Sequence, residues 1–166
     1  MSAATVPMTD EASVLRLAEL PAGSAAALLA RYHLELVRVA DGQPIPGSYW
    51  GEPEAGVIGS RVYARDDTPV HSLLHEACHL IVIPEARRTR VHTNASDSIE
   101  EEDATCYLQI LLADALPGMG RERMWADMDA WGYSFRLGSS HAWFEHDASE
   151  AATYLQKRGL PHDLTR

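Results

Sequence analysis

The sequence predicts a small single domain that mixes α-helices with short strands. Its 166 residues suit one domain able to bury its own core. Hydrophobic residues make up 46% and charged residues 23%, the balance of a globular chain rather than a disordered one. Helical apolar periodicity recurs along the chain, and two short strand-like stretches interrupt it in the first half. Residues 1–166 therefore read as one unit, without internal repeats or low-complexity tracts.

Met1 to Met8 read as a loose tail. Thr9 or Asp10 can cap a helix to about Leu20, with Val14, Leu15 and Ala18 on one face. Pro21-Ala22-Gly23 break it, and Ser24 can cap a second helix through about Tyr32. Leu34, Leu36 and Val39 mark a strand, followed by an Asp41-Gly42 turn. Pro44 to Gly59 is rich in Gly and Pro and reads as a loop of the kind that lies over clefts. Val57 to Arg65 reads as a second strand, whose Gly56 and Gly59 call for a bulge or the close approach of another segment. Its edge is one an extended peptide could join.

Thr68 and Pro69 then start the clearest helix, apolar at Val70, Leu73, Leu74, Ala77, Cys78 and Ile81, and Pro84 stops it. Residues 85–96 read as a loop. A helix runs from near Ser98 to about Leu116, and another from Arg121 to about Trp131. A short last helix containing Tyr154 and Leu155 begins at Asp147 or Ser149.

A net charge of −10 argues against nucleic acid or an anionic membrane as a partner, because both are bound through basic patches. The first residues carry neither a basic segment nor a long apolar run, and no stretch reaches the ~18 apolar residues of a membrane span. A cytoplasmic protein is expected. Two cysteines, Cys78 and Cys106, are too few for a disulfide framework and read as reduced core residues.

The chemistry lies in His75-Glu76-Ala77-Cys78-His79. Residues four apart on a helix stack on one face, so two imidazoles can converge on one tetrahedral ion. Glu76 is rotated away from that ion but within reach of water beside it, which suits a general base. A zinc site needs a third protein ligand. Val82, Pro84 and Glu85 stand where a metzincin continuation would need other residues, so that class is excluded. His71 shares the histidine face, but three histidines along a straight helix spread over two turns, and it reads as a supporting or surface residue. The helix after Ser98 is the better source. On a helical projection Glu100 and Glu101 border its stripe of Ala104, Leu108, Leu111, Leu112 and Ala115, while Glu102 and Asp103 point further out. Ser98 and Glu101 also fit a capping box.

The histidine motif, followed by Glu101-Glu102-Asp103-Ala104 and Leu111-Leu112, resembles gluzincin-type zinc metallopeptidases, and the order is closest to the ImmA/IrrE-like family. The resemblance covers roughly Ser48 to Pro117. It implies an α+β zincin-like domain with a short antiparallel sheet and two helices flanking Zn2+. It also implies His75, His79 and Glu101 as ligands, Glu76 as general base, and a protein or peptide substrate. Thr105 and Cys78 depart from the residues usual in that family. Peptide hydrolysis also calls for a donor to the developing oxyanion. His141 and Tyr133 are the chosen candidates within the aromatic and Gly-rich stretch from Gly132 to Asp147, ahead of Arg136 and His146. The competing expectation is a non-catalytic metal-binding domain of the same fold that serves as a protein-interaction module.

Overall fold

A computed structural model describes residues 13–96 and 98–163 of the chain. The architecture is α+β. Among the described residues, seven helices surround a three-stranded sheet: α1 Ser24–Ala30, β1 Glu35–Arg38, β2 Gly56–Ile58, β3 Arg61–Ala64, α2 Val70–Val82, α3 Glu85–Arg88, α4 Ile99–Ala113, α5 Gly120–Trp131, α6 Ser140–His146 and α7 Ser149–Lys157. No described helix is long and apolar enough to cross a membrane.

Helix α2 is the centre of the packing. Every residue from Val70 to Val82 is buried except Glu76. One side of α2 lies on β2 and β3 and another lies along α4. A helix buried all round suits a sequence that is apolar on most faces, and Leu73, Leu74, Ala77, Leu80 and Val82 supply those faces. Each large apolar side chain so buried contributes about 1.5–3 kcal/mol. The buried C-terminal end needs acceptors satisfied. Arg88 donates to the Leu80 carbonyl at 2.9 Å and Arg158 to the Val82 carbonyl at 2.7 Å. Pro84 ends the helix as the sequence requires.

The sheet order is β1-β3-β2, with β1 parallel to β3 and β2 antiparallel to it. The expected antiparallel sheet is thus corrected to a mixed one. Parallel neighbours need a long crossover, and residues 39–60 provide it. The single strand expected over Val57 to Arg65 is a hairpin, because Gly59 (φ +61°) turns the chain between β2 and β3. The edge offered to an extended peptide is already occupied. Gly47 and Ser48 pair with β2 at Val57 and Gly56, and His92 and Thr93 bond at Ile58 and Val57.

Other differences have local causes. The loose tail over residues 1–8 and the start of the first expected helix lie outside the described residues. From Val14 to Leu20 the chain is not α-helical. It lies against the start of α2, with Leu15 exchanging bonds with Val70 and Asp127, and only Leu17–Glu19 form a 3₁₀ turn. Within residues 85–96, expected to be a loop, the short α3 forms, and Ser139 caps α6 inside the aromatic and Gly-rich stretch from Gly132 to Asp147.

Residues 39–55 are fastened rather than loose. Arg65, buried under them, donates to the Gln43 carbonyl at 2.9 Å and pairs with Glu52 at 2.6 Å and Asp67 at 2.9 Å. The Ala55 amide donates to Ser72 Oγ on α2 at 2.9 Å. Gly56 lies so close to the returning chain that a β-carbon there would sit 2.0 Å from the Pro46 carbonyl oxygen. Gly56→Ala is therefore expected to destabilise the fold by about 2–4 kcal/mol in urea unfolding, against about 1 kcal/mol for Gly42→Ala, which is strained only by its positive φ.

Candidate metal centre

The i, i+4 spacing on α2 brings the imidazoles of His75 and His79 edge to face, with centroids 4.6 Å apart and Nε2 atoms 3.1 Å apart. A carboxylate from α4 meets both: Glu102 Oε1 lies 3.1 Å from His75 Nε2, and Oε2 lies 3.5 Å from His79 Nε2. Two ligands of a tetrahedral ion, each ~2.0–2.1 Å from it, stand about 3.3 Å apart. These three side chains therefore have the mutual spacing of a ligand set. Glu102 Oε1 is buried with the His75 imidazole 3.1 Å away as its ion-pair partner, a place where a cation could stand in for the histidine's proton.

The outward nitrogens are fixed by their partners. His75 Nδ1 lies 2.9 Å from Gln109 Oε1, while Gln109 Nε2 donates to the His71 carbonyl at 2.9 Å. With the amide oriented by that second bond, Nδ1–H donates to Gln109, and Nε2 faces Glu102 and His79. Such bonds set the tautomer and angle of a ligating histidine. His79 Nδ1 is held by Ser96 Oγ. His71, by contrast, is fully buried behind the pair, with Nδ1 3.2 Å from the Tyr133 hydroxyl and its ring against Trp131.

The sequence expectation for the third ligand is corrected. Glu101 pairs with Arg87 at 2.7 Å instead of meeting the histidine pair, while Glu100 is exposed. The site carboxylate is Glu102, two residues before Ala104, so the position taken from the family resemblance is off by one. The reason lies in the packing of α4, which is buried against α2, α5 and α7 at once. The apolar stripe used for the projection is not the face that meets α2. That face carries Glu102, Cys106 and Gln109, at i, i+4 and i+7, and this run of polar or sulfur side chains in an otherwise apolar helix is the signal that sequence reasoning missed.

Of the two donors proposed for an oxyanion, Tyr133 comes to the site and His141 does not. Tyr133 reaches the cleft floor, its ring 5.6 Å from that of His75. His141 stacks on Trp125 at 3.8 Å, pairs with Glu145 on α6, and does not line the cleft. Both cysteines are buried and free. Cys106 lies in a group with His75 and Glu102 whose ligand atoms are within 4.8 Å of one another. Cys78, inside the motif, belongs to no such group, and burial pushes its thiol pKa up.

No protein-family model, curated protein or solved structure matches the chain. The chemistry is accordingly read from the cleft itself. It has a volume of about 230 Å³. The histidine pair and Glu102 form its floor, Glu76 and Glu54 stand beside them, and Tyr49 and Trp50 reach it from the loop before β2. The opposite rim is residues 93–95, where Thr93 holds φ +76°, a strained conformation for a β-branched residue.

Electrostatics separates the roles. Burial alone would lower the pKa of His75, but Tyr133, Cys106 and Glu102 raise it well above 6.5. Burial and the charge of His75 push His79 down to about 3, so the metal-free pair carries one positive charge rather than two. Burial would raise Glu102, yet its contacts with His75 and His79 hold it below the usual carboxylate range. Glu76 goes the other way. Burial, then the nearby charges of Glu102 and Glu54, raise it to about 7 although His75 opposes them.

Two outcomes follow. Glu102→Gln should weaken zinc binding by at least about 10²-fold in competition with a chelator, while Glu101→Gln should leave it within about 10-fold. In the metal-free protein, Glu76 has a folded pKa of about 7 against 4.5 for the ordinary group. The folded state then binds the extra proton, and stability falls as pH rises from about 4.5 to about 7. Glu76→Gln should therefore stabilise the metal-free protein by about 2–3 kcal/mol at pH 8 and by almost nothing at pH 4, measured by urea unfolding.

Proposed function

We propose that the chain is a zinc-dependent metallopeptidase that hydrolyses peptide bonds of a protein or peptide substrate. The observation that carries this reading is the meeting of His75, His79 and Glu102 on the floor of an open cleft, with a half-buried Glu76 beside them that makes no ion pair among the described residues. These three residues would hold the ion. Bound zinc polarises a peptide carbonyl and acidifies water. The resemblance of the histidine motif to gluzincin peptidases of the ImmA/IrrE-like type supports the same assignment, with Glu102 in place of Glu101.

The residues divide the work. Glu76, raised to about 7, is matched to taking a proton from the attacking water and passing it to the leaving amine. Gln109 holds His75 in one tautomer and Ser96 braces His79. Tyr133 sits at the floor with its pKa raised by burial, so its hydroxyl stays protonated and able to donate to an oxyanion. The loop carrying Tyr49 and Trp50 limits the open side of the cleft, where an extended chain would enter.

One observation favours a second reading, a non-catalytic metal-binding module. Cys106 stands in the same cluster as His75 and Glu102, and a thiolate added to the histidines and Glu102 would complete four protein ligands and close the site. Cobalt substitution separates the two, since a cobalt–thiolate bond gives a charge-transfer absorption that Cys106→Ser abolishes. The peptidase reading expects no such band.

For the peptidase, Glu76→Gln should keep one zinc per chain and lower cleavage of an unfolded protein substrate by about 10²–10⁴-fold. A bound cation lowers the pKa of Glu76 from its metal-free value, so the acid limb of kcat/KM should lie at or below about pH 7. Full cleavage by the Gln variant, or a limb well above that pH, would remove Glu76 from its role.

A further inference from the structure

The same cleft contains a carboxylate that the proposed chemistry does not use. Glu54 is 7% exposed, lines the cleft, and makes no ion pair among the described residues. It stands where the loop before β2 is anchored, next to Ala55, whose amide is bonded to Ser72 on α2. Trp131 and the charge of His75 only partly offset its burial, and a buried carboxylate without a lysine or arginine beside it is costly to the fold. Burial raises its pKa, and its charge in turn helps to raise that of Glu76.

Charge counting gives the missing partner. Glu54, Glu76 and Glu102 place three carboxylates in the cleft, and no described residue lining it is Lys or Arg. Glu102 would hold a bound ion and Glu76 would face its water, which leaves Glu54 as the carboxylate of the lining with neither an ion nor a basic residue to pair with. The mouth is aromatic, since Tyr49 and Trp50 meet edge to face at 4.9 Å and are 61% and 48% exposed. Exposed rings beside an acid are the surroundings in which an organic cation gains both an ion pair and a cation–π contact.

We propose that the cleft selects peptides carrying one positive group next to the bond presented to the histidine site, with Glu54 pairing with the cation and the Tyr49 and Trp50 rings covering it. The cation is a lysine or arginine side chain or a free amino terminus, which share this chemistry. The proposal rests on the peptidase reading for the identity of the ligand as a peptide, but it concerns recognition rather than turnover.

The test uses zinc-loaded Glu76→Gln protein and three matched peptides: one blocked at both ends with a central lysine, one blocked with norleucine in its place, and one with norleucine and a free amino terminus. Binding is followed by calorimetry. At least one cationic peptide should bind about 10-fold or more tighter than the blocked norleucine peptide, and which of the two does so identifies the source of the cation. Adding Glu54→Gln should bring the preference to within about two-fold at unchanged zinc content. Trp50→Ala, at an exposed position, should weaken the preferred peptide by about three-fold or more and guards against a folding defect at Glu54. Equal binding of all three peptides, no binding of any, or a preference that survives Glu54→Gln overturns the proposal. Wild-type zinc protein is assayed for cleavage of the same peptides. Cleavage without a cationic preference overturns this inference and leaves the peptidase standing, whereas a preference without cleavage does the reverse.

Discussion

The structure depends on the packing of α2 against α4. Helix α2 is buried on nearly every side, so the only economical way to keep two histidines within it is to give each ring nitrogen a partner. Gln109, Ser96 and Glu102 do this. Gln109 and Glu102 come from α4, one near its middle and one in its first turn. A small rotation of α4 about its axis would break the Gln109 bond and withdraw the Glu102 carboxylate together. The apolar contacts that fix this rotation, on the faces of α4 against α5 and α7, are therefore as necessary to the site as the ligands. They include Leu108, Ile110 and Leu112, all buried.

The half of the site on α2 was legible in the sequence, and the half on α4 was not. The histidine spacing is local: once Thr68-Pro69 and Pro84 bound a helix, i and i+4 must share a face. Which carboxylate meets the histidines is decided by tertiary packing. A stripe of apolar residues identifies a helix's contact face only when there is one, and α4 has three. Weighting the polar and sulfur positions Glu102, Cys106 and Gln109 would have found the face that meets α2, because buried polar side chains at helical spacing need a common partner. The misplacement of His141 has a related cause. Its segment folds as α6 and lays the ring on Trp125, a stacking preference that no spacing rule encodes. The strand reading failed at Gly59, where one positive φ converts a single extended run into a hairpin.

Charge in the cleft runs against stability. Glu54 and Glu76 are held above their ordinary pKa by burial, and Glu102 is held below only by the histidines. Several acids elsewhere have an arginine: Asp127 pairs with Arg123, Glu101 with Arg87, and Asp67 and Glu52 with Arg65. Three buried or part-buried acids gathered in one cleft without a lysine or arginine in its lining are the pattern of a site suited to cations.

The loop before β2 turns that pattern into a directional cleft. Gly56 allows the chain to close on Pro46, Arg65 ties the loop to the strand side of the sheet, and Ser72 ties it to α2 one turn before His75. Glu54 and the aromatic pair are thus held by the same helix that holds the histidines. Because β2 is already paired with residues 47–48 and 92–93, an extended chain entering the cleft has no free strand edge to join there. Under the peptidase proposal, binding at this wall would come from side chains or an end group rather than from pairing with β2. What this wall presents in place of a strand edge is one buried carboxylate, Glu54, and two exposed rings, Tyr49 and Trp50, groups that meet a charge more readily than a particular sequence.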